Sequence, residues 1–339
     1  MSTPVAAPVT PERINQLAFG YAPPLILEAA IRHHVFDVLD SGPKSVAEVS
    51  KATGASERGL ATIMNVLVGL EFLAKEESGN YRLTPESAAF LVSTKPAFQG
   101  GFLRHASTQL IPNWLHLADI VATGKGVEAV NQEGPGAEFF KKFVIDILPV
   151  SLPAAQILGK SLKLESATAP VKVLDIAAGS GVWGIGVAMA SPHVRVTAVD
   201  WAEVIPVTQK VAARFNLADR FTYISGDLGT VDFGTGYNVA TLGQILHSEG
   251  KQRSRELIAK VFASLAPGGT IAIAEFLVNA DRTGPVNGLL FAVNMLVATE
   301  NGDTFSFEEI STWLKEAGFV NPRTLDAPGP SPLILATKP

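Results

Sequence analysis

The feature that most constrains this chain is a glycine-rich turn between two apolar segments. Residues 172–184 read KVLDIAAGSGVWG, in which Gly179, Gly181 and Gly184 satisfy a G-x-G-x-x-G pattern. A turn of this kind leads from a strand directly into a helix and lets the backbone approach a ligand closely. Taken alone the pattern is unspecific, because dinucleotides, other nucleosides and ligand-free turns all accommodate it. It does predict a strand–turn–helix unit here.

Short runs rich in Val, Ile and Ala alternate with helical stretches after Pro170. This alternation predicts an α/β fold, a doubly wound Rossmann-like sheet of seven mostly parallel strands with an antiparallel last strand. The predicted strands are Lys172–Ala177, Arg195–Asp200, Phe221–Asp227, Tyr237–Ile245, Thr270–Val278, Arg323–Asp326 and Leu333–Thr337. The helices predicted among them include Val204–Phe215, Arg255–Leu265 and a capped helix from Ser306 to Gly318.

The N-terminal part of the chain is mainly helical in pattern. Apolar residues dominate Ile14–Leu39, which predicts a helix that is apolar nearly all round and is covered by a second subunit. A capped helix after Ser45, a helix over Glu57–Leu73 and a hairpin then outline a winged helix. The hairpin strands are Phe72–Lys75 and Tyr81–Thr84.

These changes in the hydrophobic pattern along the chain predict four regions. They are a flexible tail at 1–12, a winged-helix dimerisation domain at 13–97, a helical connector lining an acceptor pocket at 98–165, and a catalytic domain at 166–339.

Composition and charge exclude several classes of protein. The chain has no cysteine, which excludes disulfides, thiolate metal sites and cysteine nucleophiles, and no metal site is predicted. Its net charge is −5, and residues 1–110 carry nine basic against ten acidic side chains, so no nucleic-acid partner is expected. The chain shows neither a signal sequence nor an apolar run of about 18 residues, which predicts no membrane partner and a cytoplasmic location.

Three acidic positions follow successive predicted strands. Asp175 directly precedes the glycines, where its charge would repel a pyrophosphate and favour an ammonium or sulfonium group. Asp200 lies 21 residues after Gly179, the spacing at which a carboxylate accepts the hydroxyls of a ribose. Asp227 and Leu228 could hold an adenine by its amino edge and its face.

In combination these residues resemble the class I S-adenosylmethionine-dependent methyltransferases. With the N-terminal unit, the chain is similar to the small-molecule O-methyltransferases of plants and bacterial natural-product pathways. The resemblance rests on Asp-x-x-x-Gly-x-Gly at 175–181, the acid at 200, Gly226-Asp227, His247 and Pro267-Gly268-Gly269. It implies S-adenosyl-L-methionine as cofactor and a homodimer formed by the N-terminal domain. The implied cofactor-binding residues are Asp175, Ala177 (glycine in most of the family), Gly179, Gly181, Asp200, Trp201, Asp227 and Leu228.

A histidine and a glutamate end neighbouring predicted strands. A neutral imidazole is a suitable base for a phenol or enol. His247 follows the fourth strand of the predicted sheet and Glu275 ends the fifth, so their side chains could meet at the ligand edge. The resemblance implies that His247 is the general base, with Glu275 orienting it. The chain departs from the family at Ser248 and Glu249, where Asp and Trp are common.

The acceptor is expected beside the stretch 287–299. Phe291, Asn294 and Met295 share a helical face there, and similar residues line acceptor sites in the family. Thr304 stands where the family has a second acid, with Asp303 one residue away.

We therefore predict methyl transfer from S-adenosylmethionine to a hydroxyl of a small apolar or aromatic metabolite. The alternatives are C- or N-methyl transfer working mainly by proximity, an NAD-dependent oxidoreductase, a DNA-binding regulator, and a catalytically silent relative.

Overall fold

A computed structural model describes residues 9–127 and 134–339 of the chain. Most of the predicted tail therefore lies outside the described residues, and Glu12 already begins a helix. The chain divides into two compact units, 1–108 and 109–339, so the predicted connector at 98–165 is shared between both.

The first unit is mainly helical with one hairpin. Its elements are α1 (Glu12–Ala18), α2 (Ala22–Arg32), α3 (Val35–Leu39), α4 (Val46–Thr53), α5 (Glu57–Gly69), β1 (Leu73–Lys75), β2 (Tyr81–Leu83), α6 (Pro85–Phe90) and α7 (Gly100–His105). The predicted order of helix, turn, helix and hairpin is present in α4, α5, β1 and β2. Ser45 caps α4 through the predicted capping box, in which its hydroxyl accepts a hydrogen bond from the amide of Glu48.

The single helix predicted over Ile14–Leu39 is wrong, because the structure has three shorter helices there. His34 adopts a left-handed conformation with φ of 54°, which a continuing α-helix does not allow. The side chains of Leu17 and Phe19 are about 70% exposed within the chain. Part of the apolar surface of this stretch therefore lies outside the core of the first unit.

The second unit contains the larger sheet and its helices. Its elements are α8 (Ile111–Trp114), α9 (Leu117–Thr123), α10 (Pro135–Asp146), α11 (Leu148–Ser161), β3 (Val171–Ile176), α12 (Val182–Ala188), β4 (Val194–Asp200), α13 (Ile205–Arg214), β5 (Phe221–Ser225), β6 (Tyr237–Gly243), α14 (Leu246–Ser264), β7 (Leu265–Ala274), β8 (Leu277–Val278), α15 (Val286–Ala298), β9 (Phe305–Ser306), α16 (Phe307–Glu316), β10 (Val320–Leu325) and β11 (Leu333–Thr337). Short turns of 3₁₀-helix cover Leu164–Ser166 and Ala218–Arg220, and a π-helical turn covers Ala106–Leu110.

Seven strands form one sheet in the order β10-β11-β7-β6-β3-β4-β5. Strand β11 pairs antiparallel with both β7 and β10, whereas the remaining pairs are parallel. The predicted α/β sheet with an antiparallel last strand is confirmed. The order reverses beside β3, which is the position at which open parallel sheets bind ligands.

Successive residues of each central strand point to opposite faces of the sheet. Val173 packs in a core with α11 and α12, while its neighbour Leu174 packs in a second core with α14 and α16. Both residues are fully buried. The sheet is therefore covered on both faces, and only its carboxyl edge is left for a ligand.

Among the described residues, no single helix is both long enough and apolar enough to cross a membrane. The helix pair Phe139–Asp146 and Leu148–Ser161 passes that test only jointly, across a bend of 64°.

Candidate active site

A cavity of about 940 Å³ opens at the carboxyl edge of the sheet in the second unit. One wall is aromatic and apolar and comes from α10 and α11, including Phe140, Phe143 and Val144. The opposite wall holds the predicted cofactor residues Ala177, Gly179, Asp200, Trp201, Asp227 and Leu228.

The glycine loop has a left-handed backbone at two positions where neighbouring side chains leave no space for a Cβ. Gly179 has φ of 55°, and an added Cβ would lie 2.9 Å from Val144 Cγ1. At Gly181, with φ of 77°, an added Cβ would lie 2.8 Å from Thr208 Cγ2. Ala177 also has a positive φ, of 51°, and lines the cavity with its methyl group. Gly179 therefore lines the cavity without a side chain, whereas Gly181 packs against α13 and is not among the cavity-lining residues.

Asp175 does not face the cavity. It is fully buried, with Oδ1 accepting from Thr241 Oγ1 at 2.6 Å and Oδ2 accepting from the amide of Gly184 at 2.9 Å. Burial raises the pKa of this carboxyl group to about 7. The Asp175 side chain is therefore not part of the cavity lining, and its charge is no argument against a pyrophosphate there.

Asp200 is the carboxylate that stands beside the glycine loop. Its Oδ2 accepts from the amide of Gly179 at 2.7 Å, and its Oδ1 accepts from the amide of Trp201 at 2.8 Å. Burial raises the pKa of Asp200 to about 6. The loop amide that a pyrophosphate would use is thus already bonded to an acid, which makes this a poor phosphate cradle.

Two further predicted cofactor-binding residues follow β5 and line the cavity. Leu228 is buried, whereas the side chain of Asp227 is about two-fifths exposed and its Oδ1 accepts from the amide of Gly229 at 2.9 Å. Trp201 lies near the aromatic wall, with its ring 6.1 Å from that of Phe140. An apolar face beside a carboxylate suits a flat heterocycle that carries an amino group.

His247 and Glu275 meet as the sequence predicts. His247 Nδ1 is 2.6 Å from Glu275 Oε2, and both side chains are buried. Glu275 Oε1 accepts from the amides of Leu246 at 2.6 Å and His247 at 3.3 Å. A carboxylate in this position requires the proton on Nδ1, which leaves Nε2 as the basic nitrogen.

Aromatic side chains surround this imidazole. The ring of Phe291 lies 4.8 Å from His247, edge to face, and stacks on Phe276 at 3.7 Å. Asn294 accepts a hydrogen bond from Trp114 Nε1 at 3.1 Å, and Met295 is buried. Of the predicted acceptor residues, Phe291 is the one that the structure brings against His247.

Asp303 and Thr304 are not among the residues that line this cavity. Asp303 forms an ion pair with Arg282 at 3.0 Å on the surface, and Thr304 is fully buried with its hydroxyl donating to the carbonyl of Gly288 at 3.3 Å. That either side chain contacts the acceptor stays a prediction from the sequence. The segment instead holds the backbone of His247, whose carbonyl accepts from the amide of Asp303.

Several residues of the site were missed from the sequence. Trp183 lines the cavity and lies so close to Gly243 that an added Cβ would clash with its indole nitrogen. Glu249 and Arg253, four residues apart on α14, also line the cavity as an ion pair. Their acid–base spacing was a readable signal.

Comparisons with known proteins agree with this geometry. A family model for the O-methyltransferase domain matches residues 114–320, and one for the O-methyltransferase dimerisation domain matches residues 15–93. The tetracenomycin polyketide synthesis 8-O-methyl transferase TcmO of Streptomyces glaucescens is 28% identical over 97% of each chain. The 3-hydroxy-5-methyl-1-naphthoate 3-O-methyltransferase of Streptomyces sahachiroi is 27% identical over 97% of this chain and 95% of that protein.

The overall fold is similar to that of a solved methyltransferase structure. The structure of human N-acetylserotonin methyltransferase in complex with SAM has a TM-score of 0.85 at 24% identity, covering 98% of this chain and 99% of that one. The chain thus belongs to the O-methyltransferase family, whose cofactor is S-adenosylmethionine, and carries that family's dimerisation domain at its N-terminus.

Proposed function

We propose that this enzyme transfers a methyl group from S-adenosylmethionine to a hydroxyl of a small, largely apolar or aromatic metabolite, with His247 as general base. The observation that carries the proposal is the 2.6 Å contact between His247 Nδ1 and Glu275 Oε2. It leaves Nε2 as the nitrogen able to take a proton, in the way that a carboxylate orients the base of a catalytic triad.

The cofactor would be held along the glycine loop. Gly179 exposes its backbone to the cavity and Gly181 shapes the turn, Asp200 offers its remaining lone pairs to the ribose hydroxyls, and Asp227 with Leu228 receives the adenine. Asp175 supports this arrangement from behind, because it fixes the first turn of α12 to β6 through Gly184 and Thr241.

When bound, the cofactor supplies a methyl group on a positively charged sulfur, which needs no further activation. The protein therefore has to orient the acceptor and remove its proton. His247 Nε2 accepts the hydroxyl proton, and Glu275 stabilises the imidazolium that results. The buried surroundings of the pair exclude water from this step.

An aromatic acceptor is favoured by the stacked rings of Phe276 and Phe291 beside the imidazole. Edge and face contacts with such rings select flat, apolar molecules. The names of the Streptomyces relatives, one acting on a naphthoate and one in tetracenomycin synthesis, support the same class of acceptor.

A homodimer through the winged-helix domain is supported by the match to a dimerisation domain and by the exposed apolar side chains of Ile14, Leu17, Phe19 and Tyr21. Light scattering on the purified protein would measure the mass directly. The absence of nucleic-acid and membrane partners and the cytoplasmic location stay predictions from the sequence.

Two measurements test the proposal. Calorimetric titration with S-adenosylhomocysteine and with NAD should show binding of the former alone, and tight binding of NAD alone would overturn the assignment. Incubation with methyl-labelled cofactor and a panel of phenols, enols and amines should then label a phenol or enol oxygen. Label found only on carbon or nitrogen would instead favour transfer by proximity.

A further inference from the structure

The segment α14 contains the proposed general base, bends at Gly250 (φ 72°, ψ 172°), and then continues along the cavity. Arg253, on α14, donates from Nε to Glu249 Oε2 at 2.5 Å, and its Nη2 lies 3.5 Å from Asp227 Oδ2. All three side chains line the 940 Å³ cavity. One guanidinium thus serves two carboxylates that belong to different elements.

Glu249 gives Arg253 a fixed anchor. Its side chain is 8% exposed, whereas that of Arg253 is about half exposed. Burial raises the pKa of Glu249, against which the hydrogen bond from Arg253 favours the charged form. Since the Nε edge of the guanidinium is taken by Glu249, its Nη2 edge is directed at Asp227.

Both oxygens of the Asp227 carboxylate therefore have a partner in the protein. Its Oδ1 accepts from the amide of Gly229, and its Oδ2 faces Arg253. An ionised carboxylate has about four acceptor positions, so lone pairs remain for a donor in the cavity. Lys260 on the same helix donates to the carbonyl of Leu228 at 2.8 Å. Helix α14 therefore fixes the segment after β5 at two points.

We infer that Arg253 is a positioning residue for the cofactor: anchored by Glu249, it orients the Asp227 carboxylate to accept a hydrogen bond from the adenine amino group. The inference rests on the proposed function, which assigns the adenine to Asp227. It adds a role for two residues of α14, Glu249 and Arg253, that touch neither the acceptor nor the proton transfer.

Replacing the guanidinium tests this role. Arg253→Met should raise the dissociation constants of S-adenosylhomocysteine and 5′-methylthioadenosine by the same factor, about 5- to 10-fold, since both ligands carry the adenine. The KM for S-adenosylmethionine should rise similarly, while kcat and the acceptor KM change less than about 2-fold. Arg253→Lys should lose nearly as much, because one ammonium does not bridge two carboxylates as the guanidinium fork does.

A matched control lies two residues further along α14. Arg255 forms an exposed ion pair with Glu316 at 2.9 Å and does not line the cavity, so Arg255→Met should leave all these constants unchanged. Melting temperatures of both variants establish that they are folded.

A double-mutant cycle separates a positioning role from a direct one. In an Asp227→Asn background, Arg253→Met should cost less than about 2-fold further in S-adenosylhomocysteine affinity. An undiminished loss in that background, or tighter binding of the cationic cofactor alone, would mean that Arg253 acts on the ligand by itself and would overturn the inference. Unchanged affinity of Arg253→Met would overturn it too. If the wild-type enzyme bound no S-adenosylhomocysteine, the proposed function would fail first.

Discussion

The amide of Asp303 donates to the carbonyl of His247 at 2.9 Å, which ties the proposed general base to a loop 56 residues away in sequence. Gly302 makes this contact possible. An added Cβ at Gly302 would lie 2.6 Å from the His247 carbonyl oxygen and 2.4 Å from Thr299 Oγ1. The loop at 302–303 thus contacts the backbone of His247 and not its side chain.

Gly302→Ala should consequently impair catalysis without altering any reacting group. The methyl group displaces either the loop or the backbone of His247, and a misplacement of about 1 Å costs up to about 100-fold in rate. We expect kcat to fall at least about 10-fold, with S-adenosylhomocysteine affinity nearly unchanged.

Gly69→Ala is a suitable control for that variant, because nothing lies within 4 Å of an added Cβ at the end of α5. Steady-state kinetics of the two variants measure the difference in kcat. Equal activity of Gly302→Ala and wild type would show that the loop does not position His247.

Removing the imidazole should abolish proton removal and little else. We expect His247→Ala to lower kcat by about 100-fold or more, the usual contribution of a general base. The residue is not part of the cofactor cavity wall, so calorimetry with S-adenosylhomocysteine should give a dissociation constant close to that of the wild type. Unchanged turnover would instead indicate catalysis by proximity alone.

Glu275→Gln should change the tautomer of the base while preserving its place. The amides of Leu246 and His247 require an acceptor at Oε1, so the glutamine nitrogen faces His247 Nδ1. Because the glutamine nitrogen donates, His247 Nδ1 must accept the hydrogen bond. The ring proton then moves to Nε2, which removes the basic lone pair from that atom.

We expect kcat of Glu275→Gln to drop about 100-fold or more, and ¹⁵N spectra of the imidazole to show the exchanged tautomer. Retention of the wild-type tautomer together with full activity would rule out this role for Glu275.

The pairing of His247 with Glu275 was predictable because each residue comes at or shortly after the end of a predicted strand. His247 follows β6 and Glu275 follows β7, and neighbouring parallel strands bring their carboxyl ends together. The sheet itself was predictable for a similar reason, since alternating strands and helices restrict the topology to few choices.

The orientation of Asp175 was not predictable from spacing. Its partner Thr241 is brought opposite by the register of β3 against β6, a pairing 66 residues apart that depends on the strand order. The contact of the Asp303 amide with the backbone of His247 was not predictable for a related reason, because a backbone hydrogen bond does not depend on side-chain identity. The break at His34 depends on a single left-handed residue inside an otherwise helical pattern.

The buried acid behind the glycine loop should make the stability of the enzyme depend on pH. The pKa of Asp175 is about 7 in the folded chain against 3.8 when unperturbed, owing to burial. Between these values Asp175 binds more protons in the folded state than in the unfolded state, so its contribution to stability is greatest below about pH 4 and falls as the pH rises towards 7. A shift of this size corresponds to about 4 kcal/mol, to which Asp200 adds a smaller change of the same sign.

Asp175→Asn should remove most of this dependence. The amide oxygen still accepts from Gly184, and its nitrogen donates to the hydroxyl of Thr241, which serves equally as an acceptor. Urea unfolding between pH 5 and 8 should give a markedly flatter stability profile for Asp175→Asn than for the wild type. The exposed Asp326→Asn, as control, should keep the wild-type slope. If the slope survives in Asp175→Asn, the titrating group lies elsewhere, because a neutral amide at this position binds no proton over the range measured.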